Sequence, residues 1–426
     1  MTSQRSASIV LVLAGGASNR FWPLENKPFF PFAGTCLLER HLRMLRDLGC
    51  ERFVVVVRPG MAGRAAAVCR AAGVRDARIA VQDDAGGMAG AVAAARVALE
   101  GFGEAPLYVT QAQDVVDRSL HESLLASVER RDAFATLAAA RVGAYFPGGY
   151  LSLEGERITG IVEKPSPGSE PSDLVNIVAH HFASWRQVAD AVAAAYAAAP
   201  TDDAYERALG DLIRADVFRP CVYEGRWAAL KYPWQVLDVA DMLMAQWASG
   251  RESRPDGYEV REDGVIMGRD VRSFPGSHVV APALIGHGAV IGHNALVRGS
   301  MVGARSVVGF GSEVARSYLG EGVELHHNYV GDSVMADGTS MGFGGTTANY
   351  RLDGRTVPSM VAGQRIDSGR EKLGTVMGAG AKLGVNTSLM PGVKLGAGAI
   401  IGPNLRINRD VPAGERVLYD DEYGRF

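Results

Sequence analysis

Cysteine is scarce in this chain. Its four residues, Cys36, Cys50, Cys69 and Cys221, fall at none of the short spacings that hold zinc or staple a small secreted fold. Neither a structural zinc site nor a disulfide framework is expected, and a reduced, cytoplasmic setting is. Charge of one sign is also lacking: 44 basic and 47 acidic side chains leave a formal net charge of -3, so nucleic acid is not an expected partner. No apolar run approaches the roughly 20 residues of a membrane helix. Residues Met1 to Ser6 lead only into a short apolar strand, so neither a signal peptide nor a membrane span is expected there. With 426 residues, 47% of them hydrophobic and 21% charged, the chain is of globular type and too long for one core.

Glycine is plentiful, at 52 residues, and two arrangements of it carry information. The first follows the apolar run Ile9 to Val12: Leu13-Ala14-Gly15-Gly16-Ala17-Ser18-Asn19-Arg20, then Lys27-Pro28. A buried strand that ends in paired glycines lets main-chain N–H groups approach phosphate oxygens with no Cβ in the way. Successive amides form an anion-binding nest, and two cations, Arg20 and Lys27, neutralise the charge that remains. A plain glycine turn with solvated basic residues accounts for Gly15 and Gly16 but not for the ordered set.

Over residues 1–250, strand-like runs (Ile9–Leu13, Arg52–Val57, Ile79–Val81, Leu107–Thr110, Phe134–Ala138) alternate with helical ones (Leu37–Leu48, Gly90–Leu99, Leu120–Val128). This order predicts a mostly parallel sheet with helices on both faces and a ligand site beyond the carboxyl ends of the strands. Residues 251–270 are polar and Gly- and Pro-bearing, and read as a linker. From there to residue 426 the second arrangement takes over. Val279, Ile285, Ile291 and Val297 lie six apart; after a slip of one, Val302, Val308 and Val314 resume. Met377, Leu383, Leu389, Leu395, Ile401 and Ile407 keep the interval without error. Neither helix nor simple strand has this period. Hexapeptide repeats do, as a parallel β-helix whose short strands stack apolar residues inward. Such solenoids associate side by side, so a homo-oligomer is expected.

This combination resembles the sugar-1-phosphate nucleotidyltransferases that carry a C-terminal left-handed β-helix. It is most similar to the archaeal-type sugar nucleotidylyltransferases, and more distantly to the bifunctional N-acetylglucosamine-1-phosphate uridylyltransferase/glucosamine-1-phosphate acetyltransferases. The resemblance implies a Rossmann-like α/β domain, an NTP and a sugar-1-phosphate as substrates, Mg²⁺, and a trimer. Gly15-Gly16-Ala17-Ser18-Asn19-Arg20-Phe21-Trp22-Pro23-Leu24 resembles GGxGTRxxPL, with Lys27 as the family's lysine. The likeness puts nucleotide contacts on Leu13, Gly15, Gly16, Gln82 and Gly87, Gln82 reading the base. It makes Asp114 the Mg²⁺ ligand, Gly149, Glu163 and Asn176 the sugar-phosphate contacts, and Lys164 the group that orients the attacking phosphate. Tyr232-Pro233-Trp234 resembles the YPW that closes the catalytic domain.

His326-His327-Asn328-Tyr329-Val330-Gly331-Asp332, followed by Asn349-Tyr350, resembles the acetyltransferase motif H-x-x-Y-x-G-D … N-Y. It implies His326 as a base toward a sugar amine and acetyl-CoA, with Tyr329 and Asn349 positioning the reactants and Arg355 in place of a family lysine. Residues Ser359–Gly374 read as a loop projecting from the coil. Several positions depart from the pattern: Ser18-Asn19 for Gly-Thr, Met88 for Thr or Ser, Gln113 for Gly before Asp114, Ala229 for a second metal-ligating residue, and Pro358 for a second lysine. Three readings follow. The first is a nucleotidyltransferase, with or without acetyl transfer. The second is an acetyl-CoA-dependent acyltransferase with a non-catalytic N-terminal domain. The third is a nucleotide-sugar-binding scaffold.

Overall fold

The computed structural model describes residues 8–83, 86–127 and 132–418. Two compact units divide the chain. The first holds residues up to Ala17 together with Leu37–Trp227; the second holds Ser18–Cys36 together with residues from Ala228 onward. This division differs from the expected boundary near residue 250. Helix Val236–Ala248 packs on the coils of the second unit, and the expected linker 251–270 carries two paired strands, Glu259–Val260 and Ile266–Met267, the latter joined to the first full coil.

The first unit is built on a nine-stranded sheet. Its strands are β1 (Ile9–Ala14), β2 (Arg52–Val57), β3 (Asp76–Val81), β4 (Leu107–Thr110), β5 (Ala135–Arg141), β6 (Gly149–Glu154), β7 (Arg157–Glu163), β8 (Leu174–Phe182) and β9 (Phe218–Tyr223). Their order across the sheet is β3-β2-β1-β4-β8-β5-β9-β7-β6. The strands β3, β2, β1 and β4 run parallel, but β8 is antiparallel to both β4 and β5, and β7 to both β6 and β9. The sheet is therefore mixed, not mostly parallel. The reversal comes from the hairpin β6–β7, joined through the tight turn at Gly155, whose φ is 59°. Six helices accompany the sheet: α1 (Leu37–Asp47), α2 (Ala62–Ala71), α3 (Gly87–Glu100), α4 (Arg118–Ser127), α5 (Trp185–Ala198) and α6 (Ala204–Ala215). The strand β1 is buried at every residue because β2 and β4 flank it, so its apolar run needs no alternation.

In the second unit, two-residue strands stack in parallel: Val290–Ile291 on Val307–Val308, that pair on Glu324–Leu325, and so on to Arg416–Val417. The hexapeptide positions Ile285, Ile291, Val297, Val302, Val308, Val314, Met377, Leu383, Leu389, Leu395, Ile401 and Ile407 form one buried column set. Leu319, Leu325, Val330, Met335 and Met341 continue it at intervals of five or six, which a strict six-residue search passes over. Between Val297 and Val302 the interval shortens to five, with Gly299 at φ 58°, and the pairing with the preceding strand shifts by one residue between Val280 and Ala283. The expected projecting loop is an antiparallel hairpin, Pro358–Val361 with Gln364–Asp367. The segment Ser18–Cys36 belongs to this unit: Phe30 and Phe32 pack on the ring of Tyr318, and the Tyr318 hydroxyl donates to Pro31 O at 2.7 Å. Among the described residues no helix is long and apolar enough to cross a membrane.

Four histidines of the first unit are buried and held neutral. Burial pushes His180 and His121 down to about 3 and His181 to about 4, and lowers His41 as well. Unfolding returns them to an ordinary value near 6.5, so below that pH the unfolded chain takes up protons that the native one refuses. The stability is complete above about pH 6.5, and each histidine withdraws about 1.4 kcal/mol per pH unit below it. Denaturant titrations should show the first unit losing stability steadily from pH 7 to pH 5, with net proton uptake on unfolding. A midpoint that stays constant over that range would contradict this account.

Candidate active site

The site of the first unit is assembled on loops at the carboxyl end of β1 and its neighbours. Chain leaves β1 at Ala14 and passes through Gly15 and Gly16. Gly15 lies against Gln82: a Cβ on Gly15 would stand 2.6 Å from Gln82 Oε1. Gln82 follows β3, and its main-chain N–H donates to Val57 O at 2.8 Å. Its side-chain Nε2 donates to Gly87 O at 2.9 Å. Only 6% of Gln82 is exposed, so the amide is a buried tie between the exit of β1 and the start of α3. Gly87, at φ 56°, has no room for a side chain because Asp202 occupies that place. Leu13 is a core residue with its side chain buried, so a nucleotide can reach only its main chain.

Asp114 lies just beyond β4 and is half-buried. Trp227 Nε1 donates to its Oδ1 at 3.3 Å. Beside it, Gln113 Nε2 donates to Gln111 Oε1 at 2.6 Å, and Gln111 reaches Met88 Sδ at 3.3 Å. The departures Gln113 and Met88 thus belong to one chain of contacts. No group of three or more His, Cys, Asp or Glu side chains able to hold a metal occurs among the described residues. Mg²⁺ is commonly bound through one or two carboxylates together with substrate phosphates and water. Asp114 fits that role, and an all-protein cage does not.

The sugar-side candidates come together on β6, β7 and β8. Gly149 opens β6, and a Cβ there would sit 3.1 Å from Glu163 Oε2. Glu163 pairs with Lys164 at 2.8 Å. The Lys164 main chain is left-handed, φ 45°, with its N–H donating to Gly148 O at 3.0 Å. Asn176 stands at an irregularity of β8 where the pairing register shifts before His180. Its Oδ1 is 2.9 Å from His180 Nε2, and His180 Nδ1 is 2.9 Å from the Tyr205 hydroxyl. With the imidazole neutral, Nε2–H donates to Asn176 and Tyr205 donates to Nδ1. The Asn176 carbonyl is thereby committed, and a ligand would meet its amide nitrogen. Sequence reasoning missed His180, Tyr205 and Asp202, none of which stands in a recognisable motif.

Arg20 and Lys27 lie on the segment that belongs to the second unit. Arg20 is exposed within the short helix Asn19–Phe21, and Lys27 begins another, Lys27–Phe29, with its Nζ 5.9 Å from the centre of the Phe21 ring.

On the β-helix, Tyr329, Asp332 and Asn349 do meet. Asn349 Nδ2 donates to Asp332 Oδ2 at 2.5 Å and to the Tyr329 hydroxyl at 3.2 Å. Arg316 grips both Asp332 oxygens, at 2.8 and 2.7 Å, which the motif did not foretell. Gly331 is obligatory in this cluster, since a Cβ would lie 2.6 Å from both Asn349 and Tyr329. His326 is exposed, and its main-chain N–H donates to Asn328 Oδ1. His327 is instead stacked between Phe310 and Phe343, with ring centres 5.9 and 5.1 Å away. Arg355 is paired with Asp353 at 3.2 Å, in the inserted segment and apart from this network. A cavity of about 780 Å³ opens beside that segment, lined by Tyr350, Arg351, Pro358, Met390 and Arg409 among others.

The profile of the MobA-like NTP transferase domain family matches residues 10–243. The chain belongs to that family. A second profile, of the bacterial transferase hexapeptide (six repeats), matches residues 374–409, within the stacked coils. This MobA-like chain is 27% identical, over 45% of its length, to a bifunctional sugar-1-phosphate nucleotidylyltransferase/acetyltransferase of Sulfurisphaera tokodaii. It is 24% identical over 50% of its length to a bifunctional protein GlmU of Methanococcus aeolicus. A GlmU of Methanocaldococcus jannaschii is 34% identical over 21% of the chain. The alignments span 49%, 53% and 22% of these relatives, so the chain matches about half of their length or less. Among solved structures, an apo-UDP-glucose pyrophosphorylase aligns with a TM-score of 0.49 and 14% identity, over 56% of this chain and 98% of its own.

The Arg316–Asp332 pair joins a buried carboxylate to a partly exposed guanidinium. Asp332→Asn should lower β-helix stability by about 1–3 kcal/mol, the lower end reflecting the exposure of Arg316. Denaturant unfolding reads this; an unchanged midpoint would make the network incidental.

Proposed function

We propose that this MobA-like protein joins an NTP to a sugar-1-phosphate, giving an NDP-sugar and pyrophosphate. The close approach of bare Gly15 to the buried Gln82 amide carries the reading. It keeps the exit of β1 free of side chains, and with Nε2 of Gln82 committed to Gly87 O, the Oε1 is the group left to offer a base edge. An oxygen of the sugar phosphate attacks the α-phosphorus in line with the departing pyrophosphate. Such a step needs positioning and charge neutralisation more than covalent help. Gly15 and Gly16 offer main-chain N–H groups to the triphosphate. Arg20 and Lys27 neutralise charge on the α-phosphate and leaving group. Lys164 orients the attacking phosphate, while Glu163, Asn176 and Gly149 receive the sugar. Asp114 is the carboxylate to hold Mg²⁺, which when bound supplies charge neutralisation shared between the phosphates.

The network of Tyr329, Asn349, Asp332 and Arg316 favours a second activity in the β-helix, acetyl transfer from acetyl-CoA to an amino-sugar phosphate. There, exposed His326 takes the proton of the attacking amine. Assembly as a trimer through the β-helix and a cytoplasmic location complete the proposal. In this reading Arg20→Ala abolishes pyrophosphate release with NTP and a sugar-1-phosphate while the thermal transition stays in place. Near wild-type release by that variant would remove the proposal. His326→Ala should cost at least about 10²-fold in acetyl-CoA-dependent thiol release, and an equal rate would remove the second activity.

A further inference from the structure

Residues four apart on an extended strand stand about 13 Å from one another, yet Asn176 and His180 of β8 are in direct contact. The pairing with β5 explains this. Asn176 lies opposite Ala139 and His180 opposite Leu137, so β8 spends four steps where β5 spends two. The surplus chain bulges and brings the two side chains together, a device common beside functional sites. His180 is then fully enclosed. Its ring stacks on that of Tyr205, with centres 5.9 Å apart and planes at 11°, and burial keeps it neutral by pushing it down to about 3. A neutral imidazole has one N–H and one bare nitrogen. Tyr205, buried on α6, has its hydroxyl 2.9 Å from Nδ1, and burial raises that hydroxyl further above its ordinary value, so it donates. The remaining Nε2–H therefore goes to Asn176 Oδ1, at 2.9 Å.

An asparagine amide has two ends of similar shape and opposite polarity. Its own structure does not decide which end meets a ligand; here His180 does. The strand register sets what stands across from it. Val175 pairs with Tyr150, and Gly149 with Glu163. Asn176, Gly149 and Glu163 thus form one row across β8, β6 and β7, on a single face of the sheet. Gly149 adds no side chain to that face, and Glu163 leans over it, since a Cβ there would stand 3.1 Å from Oε2. The row is a slot with an acceptor at one side, a bare floor and a donor at the other. Two neighbouring sugar hydroxyls fit it, one donating to Glu163 and one accepting from Asn176. A flipped amide would set a second acceptor opposite the carboxylate, and the match would be lost.

We propose that His180, held by Tyr205, is a positioning residue that keeps the Asn176 amide nitrogen toward the substrate, so that the slot takes a sugar phosphate with two adjacent hydroxyl groups. The location rests on the nucleotidyl-transfer reading. His180 itself is sealed from the substrate and acts only through Asn176.

The test is a double-mutant cycle on the full chain. Calorimetry reads the binding of glucose, galactose, mannose and N-acetylglucosamine 1-phosphates beside a non-hydrolysable NTP analogue, and pyrophosphate release reads turnover. The wild type should bind at least one of the four. For the tightest, His180→Phe should weaken binding at least about fivefold, while affinity for the NTP analogue changes by less than about twofold. In an Asn176→Ala background the same substitution should add nothing, because the amide it positions is gone. His180→Gln, which keeps a donor for Asn176 and an acceptor for Tyr205, should restore most of the affinity. Tyr205→Phe takes the place of His180→Phe in the cycle if that variant fails to fold. Wild-type binding by the folded variant, an equal loss with and without Asn176, or a wild type that binds none of the four sugars would overturn the proposal. Coupling between His180 and Asn176 without pyrophosphate release from any sugar phosphate would leave the slot standing and fault the nucleotidyl-transfer reading instead.

Discussion

Everything proposed for the first unit depends on the absence of one side chain, at Gly15. The run from Ile9 to Ala14 is buried between two parallel neighbours and cannot shift, so the point at which the chain emerges is fixed. There the main chain comes so near to Gln82 that a single methyl group would collide with the amide oxygen. Gln82 is held from two other directions, by Val57 O through its own N–H and by Gly87 O through its side chain. The loop after β1, the end of β3 and the start of α3 are thus referred to one another through one buried amide. A polar group this enclosed is costly unless its bonds are made, which is why the arrangement is specific.

The second unit obeys a different constraint, the inward stacking of one apolar side chain per short strand. Where that stacking is regular the coil runs uninterrupted. Where the interval shortens to five, around Val330 and Met335, the coil carries its polar network of Arg316, Tyr329, Asp332 and Asn349. The excursion between Tyr350 and Lys372 is closed by a bridge between those two residues and by the buried Lys394, whose ammonium contacts Ser359 Oγ, Met360 O and Asp410. Burial lowers the affinity of that ammonium for its proton, and Asp410 opposes the effect. The same unit holds Ser18–Cys36 through Tyr318, so the cations Arg20 and Lys27 and the glycines Gly15 and Gly16 fold with different units although they are adjacent in sequence.

Most of the architecture was legible because its signals are periodic. A buried β1 announces itself as an unbroken apolar run, and a six-residue interval kept from Met377 to Ile407 has no other common source. The mixed sheet was not legible, since strand direction depends on the short hairpin β6–β7 and not on any pattern inside a strand. Nor was the division at Trp227, because α7 (Val236–Ala248) looks like any helix of the preceding domain and only its packing assigns it elsewhere. At the site, residues in motifs such as Gly15, Gln82 and Glu163 could be found by spacing. Their supports could not. His180 and Tyr205 fix Asn176 through hydrogen bonds, Tyr205 from 25 residues beyond His180, and Asp202, which fills the space beside Gly87, stands in no motif.

The account is tested most directly at Gly15, whose backbone lies outside the left-handed region and so admits alanine without strain of its own. Gly15→Ala changes only the approach to Gln82. Calorimetric titration of the full chain with each nucleoside triphosphate and Mg²⁺ should show the wild type binding at least one of them. The variant should lose at least about tenfold in affinity while its circular dichroism keeps the wild-type form, with the thermal transition lowered only by the displacement of Gln82. Unchanged affinity in a well-folded Gly15→Ala protein would contradict the central claim.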